Sequence, residues 1–101
     1  MKRLRVSGPA ERDLDDIWLY AATSQSYEIQ DRLIESITSA FALIAASPGI
    51  GTKRDYIHPG TRGFPVGQYV FYYRENARST VIARVLHGMR DQKSAYGKTI
   101  P

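Results

Sequence analysis

A chain of 101 residues, 43% hydrophobic and 24% charged, supports one folded domain over 1–101 and is too apolar to remain disordered. It has no cysteine and only two histidines, His58 and His87, without paired-ligand spacing. That excludes disulfides and thiol catalysis and leaves no expected metal or cofactor. Residues 1–47 hold five Lys/Arg against seven Asp/Glu, and residues 48–101 hold nine against three. The basic second half calls for an acidic partner, nucleic acid or an acidic protein segment. No apolar run approaches the roughly 18–20 residues that span a bilayer. The basic start leads straight into Val6-Ser7-Gly8-Pro9, unlike a signal peptide. A cytoplasmic domain is expected.

Leu4 and Val6 alternate with Arg3 and Arg5, which predicts a short first strand with a basic outer face. Ser7-Gly8-Pro9 is a helix-start signal: Ser7 or Gly8 can cap, and Pro9 suits the first helical position. Ala10, Leu14, Ile17, Trp18 and Ala21 then recur at helical spacing for about four turns. Arg12, Asp15 and Asp16 fall opposite, as a solvated face rather than a metal or catalytic cluster. Thr23–Ser26 interrupts and supplies the next cap. A second helix over about 27–46 buries Ile29, Leu33, Ile37, Ala40, Phe41 and Ile44, and Ser47-Pro48-Gly49 ends it. The short connection predicts an antiparallel hairpin.

Residues 49–61 read as a Gly/Pro-rich loop. Three strand-like runs follow at 62–66, 69–74 and 80–87, joined by connections short enough for a meander. Pro65 predicts an edge strand or a bulge. Tyr69, Phe71 and Tyr73 share one face of the middle strand, with Val70 and Tyr72 on the other. In the last strand Val81, Ala83 and Val85 point one way, and Ile82, Arg84 and Leu86 the other. The expected fold is α+β: an N-terminal strand, then a two-helix hairpin packed on a mainly antiparallel sheet of about four strands.

The chemistry is less sharply marked. Gly49-Ile-Gly51-Thr-Lys53 leaves a helix instead of feeding one, so it is no phosphate loop. Metal-free RNA cleavage needs a base, an acid and cations on the developing phosphorane charge. His58, His87, Arg62, Arg84, Arg90 and Tyr96 are of the right types, and spacing leaves their convergence open. Tyr69, Tyr72, Tyr73, Arg74 and Arg84 loosely suit base stacking, although aromatics at alternating strand positions are more often core. The last strand ends at His87-Gly88, a turn that delivers Arg90 and Asp91. Arg84, His87, Arg90 and Asp91 are therefore the expected effector edge.

An ordered set of residues resembles the ParE branch of the RelE/ParE toxins of type II toxin–antitoxin systems. It comprises Ala10, Asp13-Leu14, Ile17 and Tyr20, then Pro48-Gly49, Arg62, Tyr69 and Tyr73, and finally Arg84-Val-Leu-His-Gly88 with Arg90-Asp91. The resemblance implies a toxin neutralised by a ParD-like antitoxin whose flexible C-terminal segment folds along the hairpin and sheet. Trp18, Tyr20, Arg62, Tyr69 and Tyr73 are the antitoxin-binding residues it suggests, and operator DNA would be reached only through the antitoxin. It further implies inhibition of DNA gyrase by trapping cleaved DNA, with no catalytic residue. Ribosome-dependent mRNA cleavage and a non-toxic binding module are the alternatives.

Overall fold

Arg3–Val6 form β1, and Ser7 turns the chain into α1, Gly8–Ser24. The Ser7 hydroxyl accepts from the Ala10 N–H at 3.2 Å, capping the helix, and donates to the Ala83 carbonyl at 2.9 Å. The computed structural model describes residues 3–24 and 26–88. After α2, Tyr27–Ala46, come a 3-10 turn at Pro48–Ile50 and the strands β2 (Thr52–Lys53), β3 (Arg62–Val66), β4 (Tyr69–Glu75) and β5 (Ser79–His87). Ser26 caps α2 by accepting from the Ile29 N–H. The N-cap side chain satisfies one of the donors that a helix start leaves without a partner.

Both helices pack on one face of a five-stranded sheet of order β1-β5-β4-β3-β2. The sheet is mixed, not simply antiparallel: β1 runs parallel to β5, and the other pairs are antiparallel. The fifth strand is β2, which lies with the 3-10 turn inside the segment read as a loop. It is two exposed residues long, so it has no buried side to produce an alternating pattern. Pro65 lies beyond the reach of β2, which pairs only with Arg62 and Gly63, so its missing N–H interrupts no ladder there.

The helix-side core joins Ala10 and Ile17 of α1 and Ile37, Ala40 and Ile44 of α2 to Phe71, Tyr73, Ile82 and Val85. Phe41 adds a tilted ring contact with Phe71, centroids 5.5 Å apart, while remaining half-buried, as does Trp18. A smaller cluster of Ile57, Tyr72, Ala83 and Leu86 covers the opposite face. Simple alternation along β5 fails at one point. Tyr72 pairs with Arg84 but Tyr73 with Ile82, so Ala83 is an extra residue in a β-bulge. Ile82 and Val85 thereby share the helix face, and Ala83 and Leu86 share the other.

Along α2 burial deepens from start to end. Ile29, expected in the core, is 47% exposed, whereas Ile44 is 0% exposed. Toward its start α2 faces an open cleft beside Val66 and Tyr69 instead of packed core, so Ile29 stays partly in solvent. Ile44→Ala should therefore destabilise the fold by about 2–5 kcal/mol, whereas Ile29→Ala should stay under about 1 kcal/mol. Paired urea titrations check the difference, and equal losses would overturn this account of the core.

Candidate functional site

Beyond Val6 there is no β1 left to pair with β5. The Ser7 N–H still reaches the Ile82 carbonyl, at 3.0 Å. The next outward donor, the Val85 N–H, is met by the Asp13 carboxylate at 2.9 Å. The same carboxylate takes Arg84 Nε at 2.6 Å and the Arg84 terminal amino group at 2.9 Å. A forked guanidinium–carboxylate pair with a backbone donor added is a strong, directional arrangement. Only 12% of the Arg84 and 14% of the Asp13 side chain is exposed. This clamp holds α1 across the end of β5.

Over that end the helices leave a groove in two adjoining parts. One part, of about 340 Å³, lies among Asp16, Ile17, Tyr20, Tyr69 and His87. The other, of about 200 Å³, continues past Ala21, Ile29, Leu33 and Val66. Ile17, Tyr20, Gln68 and Tyr69 line both. The β3–β4 turn forms the rim, and Gly67 makes it tight by adopting φ of 59°. His87 pairs across the strands with Tyr69, ring edge to ring face at 5.7 Å, and its Nε2 is 3.3 Å from Gln68 Oε1. Tyr20 is 59% exposed, so an apolar floor is bordered by aromatic and polar groups, a common form of peptide-binding surface.

The residues singled out in the sequence separate into several environments. Tyr20, Tyr69 and His87 meet at the groove. Trp18 is half-buried against the core. Arg84 is engaged by Asp13, a partner 71 positions away that helical periodicity does not reveal. Arg90, Asp91 and Tyr96 lie outside the described residues. His58 Nδ1 is near the Pro59 carbonyl in the loop before β3. Among the described residues there is no group of three metal-ligating side chains.

Tyr73 needs a correction: it is 0% exposed and offers a partner no surface. Its hydroxyl donates to the Pro48 carbonyl at 2.6 Å and accepts from the Gly51 N–H at 2.8 Å. A Cβ on Gly51 would lie 2.6 Å from that hydroxyl, so only glycine fits. Arg62 donates to the Gly51 carbonyl at 2.8 Å beside it. Together these two side chains fasten the exit of α2 to the sheet. Tyr72 is buried too, on the other face. Neither ring is a stacking platform.

This fold, two helices on one face of a mixed sheet, is similar to that of a solved structure titled "Chromosomal ParDE TA system from P. aeruginosa". The TM-score is 0.70 at 20% identity, covering 86% of this chain and 96% of that one. The sequence of Toxin ParE1 of Caulobacter vibrioides is 32% identical over 97 residues, 96% of this chain and all of that protein. Toxin ParE3 of the same organism is 29% identical over 98 residues, 97% of this chain and 98% of the relative. The fold and these relatives define a toxin of the type II toxin–antitoxin class. The family described as "ParE toxin of type II toxin-antitoxin system, parDE" matches residues 4–92, and the chain belongs to it.

Asp13→Ala should destabilise by about 3–5 kcal/mol, because it removes the carboxylate that receives both the nearly buried Arg84 guanidinium and the Val85 N–H. Removing both charges, with Asp13→Leu and Arg84→Met, should cost clearly less than the sum of the single changes in a double-mutant cycle. Additive losses would show that the clamp is not a unit.

Burial raises the Tyr73 phenol above its ordinary value of 10.0, against smaller lowering contributions from the Gly51 hydrogen bond and Arg62. A raised folded value means that the fold favours the neutral phenol. Its contribution is complete below about pH 10 and is lost as pH climbs through the raised value. Tyr73→Phe should cost about 1–3 kcal/mol at neutral pH and flatten the alkaline decline in stability. Denaturant titrations at about pH 7 and about pH 11 check it, and an unchanged decline would assign the titration elsewhere.

Proposed function

We propose that this toxin inhibits DNA gyrase by stabilising its cleaved-DNA complex, and that a ParD-like antitoxin silences it by folding a C-terminal segment into the groove. The carrying observation is the apolar groove with its exposed Tyr20 and Ile29 rim, in a chain of the ParE family. A disordered segment that folds on binding needs such a surface to offset its ordering entropy. Tyr69 and the half-buried Trp18 border or support this surface. Arg62 and Tyr73 act from behind it, holding α2 in place.

His87 lines the groove at the end of β5, so this member of the expected effector edge borders the proposed antitoxin site. Arg84 is a positioning residue within that edge, because Asp13 occupies its guanidinium. The groupings of the ribonuclease candidates favour inhibition over cleavage. Arg62 serves carbonyls, Arg84 a carboxylate, and His58 and His87 stand in separate settings. No helix among the described residues is long and apolar enough to cross a membrane, and the proposed setting is the cytoplasm.

The test combines purified toxin with gyrase, plasmid DNA and ATP, and follows both supercoiling and cleaved DNA. Supercoiling should fall while cleaved DNA accumulates, and antitoxin should reverse both. Tyr20→Glu with Ile29→Glu should raise the antitoxin needed for reversal by tenfold or more while the double variant still inhibits. Gyrase unaffected at every toxin concentration would refute the target, with mRNA cleavage on translating ribosomes the next assay.

A further inference from the structure

The sheet has a second surface of marked character, at the far end of β4 from the groove and on the face turned away from the helices. Leu4 and Val6 of β1 pack into the helix-side core, so Arg3 and Arg5 alternate to the other side, and both are exposed. Arg5 is in register with Val81, and Val81 with Arg74. Tyr72 belongs to the opposite-face cluster, which puts Arg74, two residues on, on that face as well. Arg5 and Arg74 thus share one lateral row with a single apolar residue between them, two strand spacings or about 10 Å apart. Arg78 joins them from the β4–β5 turn, where its carbonyl accepts from the Arg3 N–H at 3.3 Å.

The stripe extends across the sheet. The Arg54 stem and the Tyr72 ring both approach the Cα side of Gly63, each 3.4 Å from where a Cβ would stand. Arg54 therefore overlies the Tyr72–Gly63 pair, on the face that Ala83 shares. Acidic groups are kept away. Glu75 alternates to the helix side of β4, and Asp55 is taken up by the Gly60 N–H at 2.8 Å. No ion pair joins Arg3, Arg5, Arg54, Arg74 or Arg78 to a carboxylate among the described residues. Arg3, Arg5, Arg54 and Arg74 on one face, with Arg78 in the turn at its margin and no ion pair to a carboxylate among the described residues, raise each other's energy unless a polyanion supplies the missing charge.

We infer that this arginine stripe binds the phosphate backbone of duplex DNA. A regular array of planar guanidinium groups suits phosphate oxygens. Single-stranded nucleic acid would call for exposed rings on which bases stack, yet Tyr72 is 2% exposed and, among the described residues, Tyr56 is the one exposed ring beside the stripe. The contact is sequence-independent, since backbone contacts position without specifying. It adds a direct DNA contact to the indirect one expected through the antitoxin. It does not depend on gyrase being the target, and the groove and stripe occupy opposite ends of β4.

The experiment is fluorescence anisotropy of a labelled duplex of about 20 base pairs with the full-length toxin, across a salt series. The wild type should bind at low salt, and log affinity should fall against log salt with a slope of about −3 to −4, reflecting about four neutralised phosphates. Arg5→Gln with Arg74→Gln should reduce that slope by about two and weaken binding at least tenfold. Arg3→Gln with Arg78→Gln should act in the same direction. Thermal unfolding and antitoxin binding are followed for every variant and should not change. Duplex binding that is absent at low salt, or equal in wild type and both variants, overturns the inference. Tighter binding to single strands, or to an acidic peptide that the duplex cannot displace, also overturns it and reassigns the stripe to that partner.

Discussion

One carboxylate determines how the layers of this protein fit together. β1 pairs with β5 for four residues and then becomes a helix, which leaves the remainder of β5 with an open edge. An exposed edge is an invitation to mispairing, and a buried unpaired N–H is destabilising in itself. Asp13 resolves both by serving as a side-chain substitute for the absent strand while neutralising Arg84. Its position one turn into α1 fixes where the helix crosses the sheet. That crossing sets Ile17 and Tyr20 above Tyr69 and His87, so the groove exists because of an interaction at its margin.

The two candidate binding surfaces follow from a division of labour within the sheet. One face is spent on the helices, and the end near the β3–β4 turn is left uncovered beside them, apolar and shaped. The other face carries only the small Ile57 cluster and, toward β1, a row of arginines. The charge asymmetry visible in the sequence halves therefore becomes a spatial one, with an acidic helical layer over a basic sheet. A molecule polarised in this way orients as it approaches a polyanion, and added salt within the Debye regime weakens that orientation.

Much of this architecture was legible because local chemistry and global packing agree. Ser7-Gly8-Pro9 and Ser26 mark both helix starts, α2 covers the expected residues 27–46, and the meander begins at Arg62 as its hydrophobic pattern implies. What could not be read depends on contacts distant in sequence. The Ala83 bulge leaves composition unchanged while reversing the faces that follow it. β2 is too short for a period. Ile29 and Ile44 are equivalent by spacing, and only the open cleft beneath the start of α2 distinguishes them. Tyr69 and Tyr73 occupy the same face of β4, yet the former lines the groove and the latter is sealed under the end of α2. Periodicity assigns a face, not a position along it.

The fastening at Tyr73 has a mechanical meaning for the groove. α2 is secured at its end by the Pro48 and Gly51 contacts and by Ile44, while its beginning holds only Ile29 and the half-buried Leu33 over the cleft. Such a helix is a lever with its fulcrum at the phenol. Any rotation about that point would be magnified along about 30 Å of helix toward Tyr27 and Ile29. Burial deepens from Ile29 to Ile44, so opening at the groove end of α2 exposes far less apolar surface than opening at the phenol end.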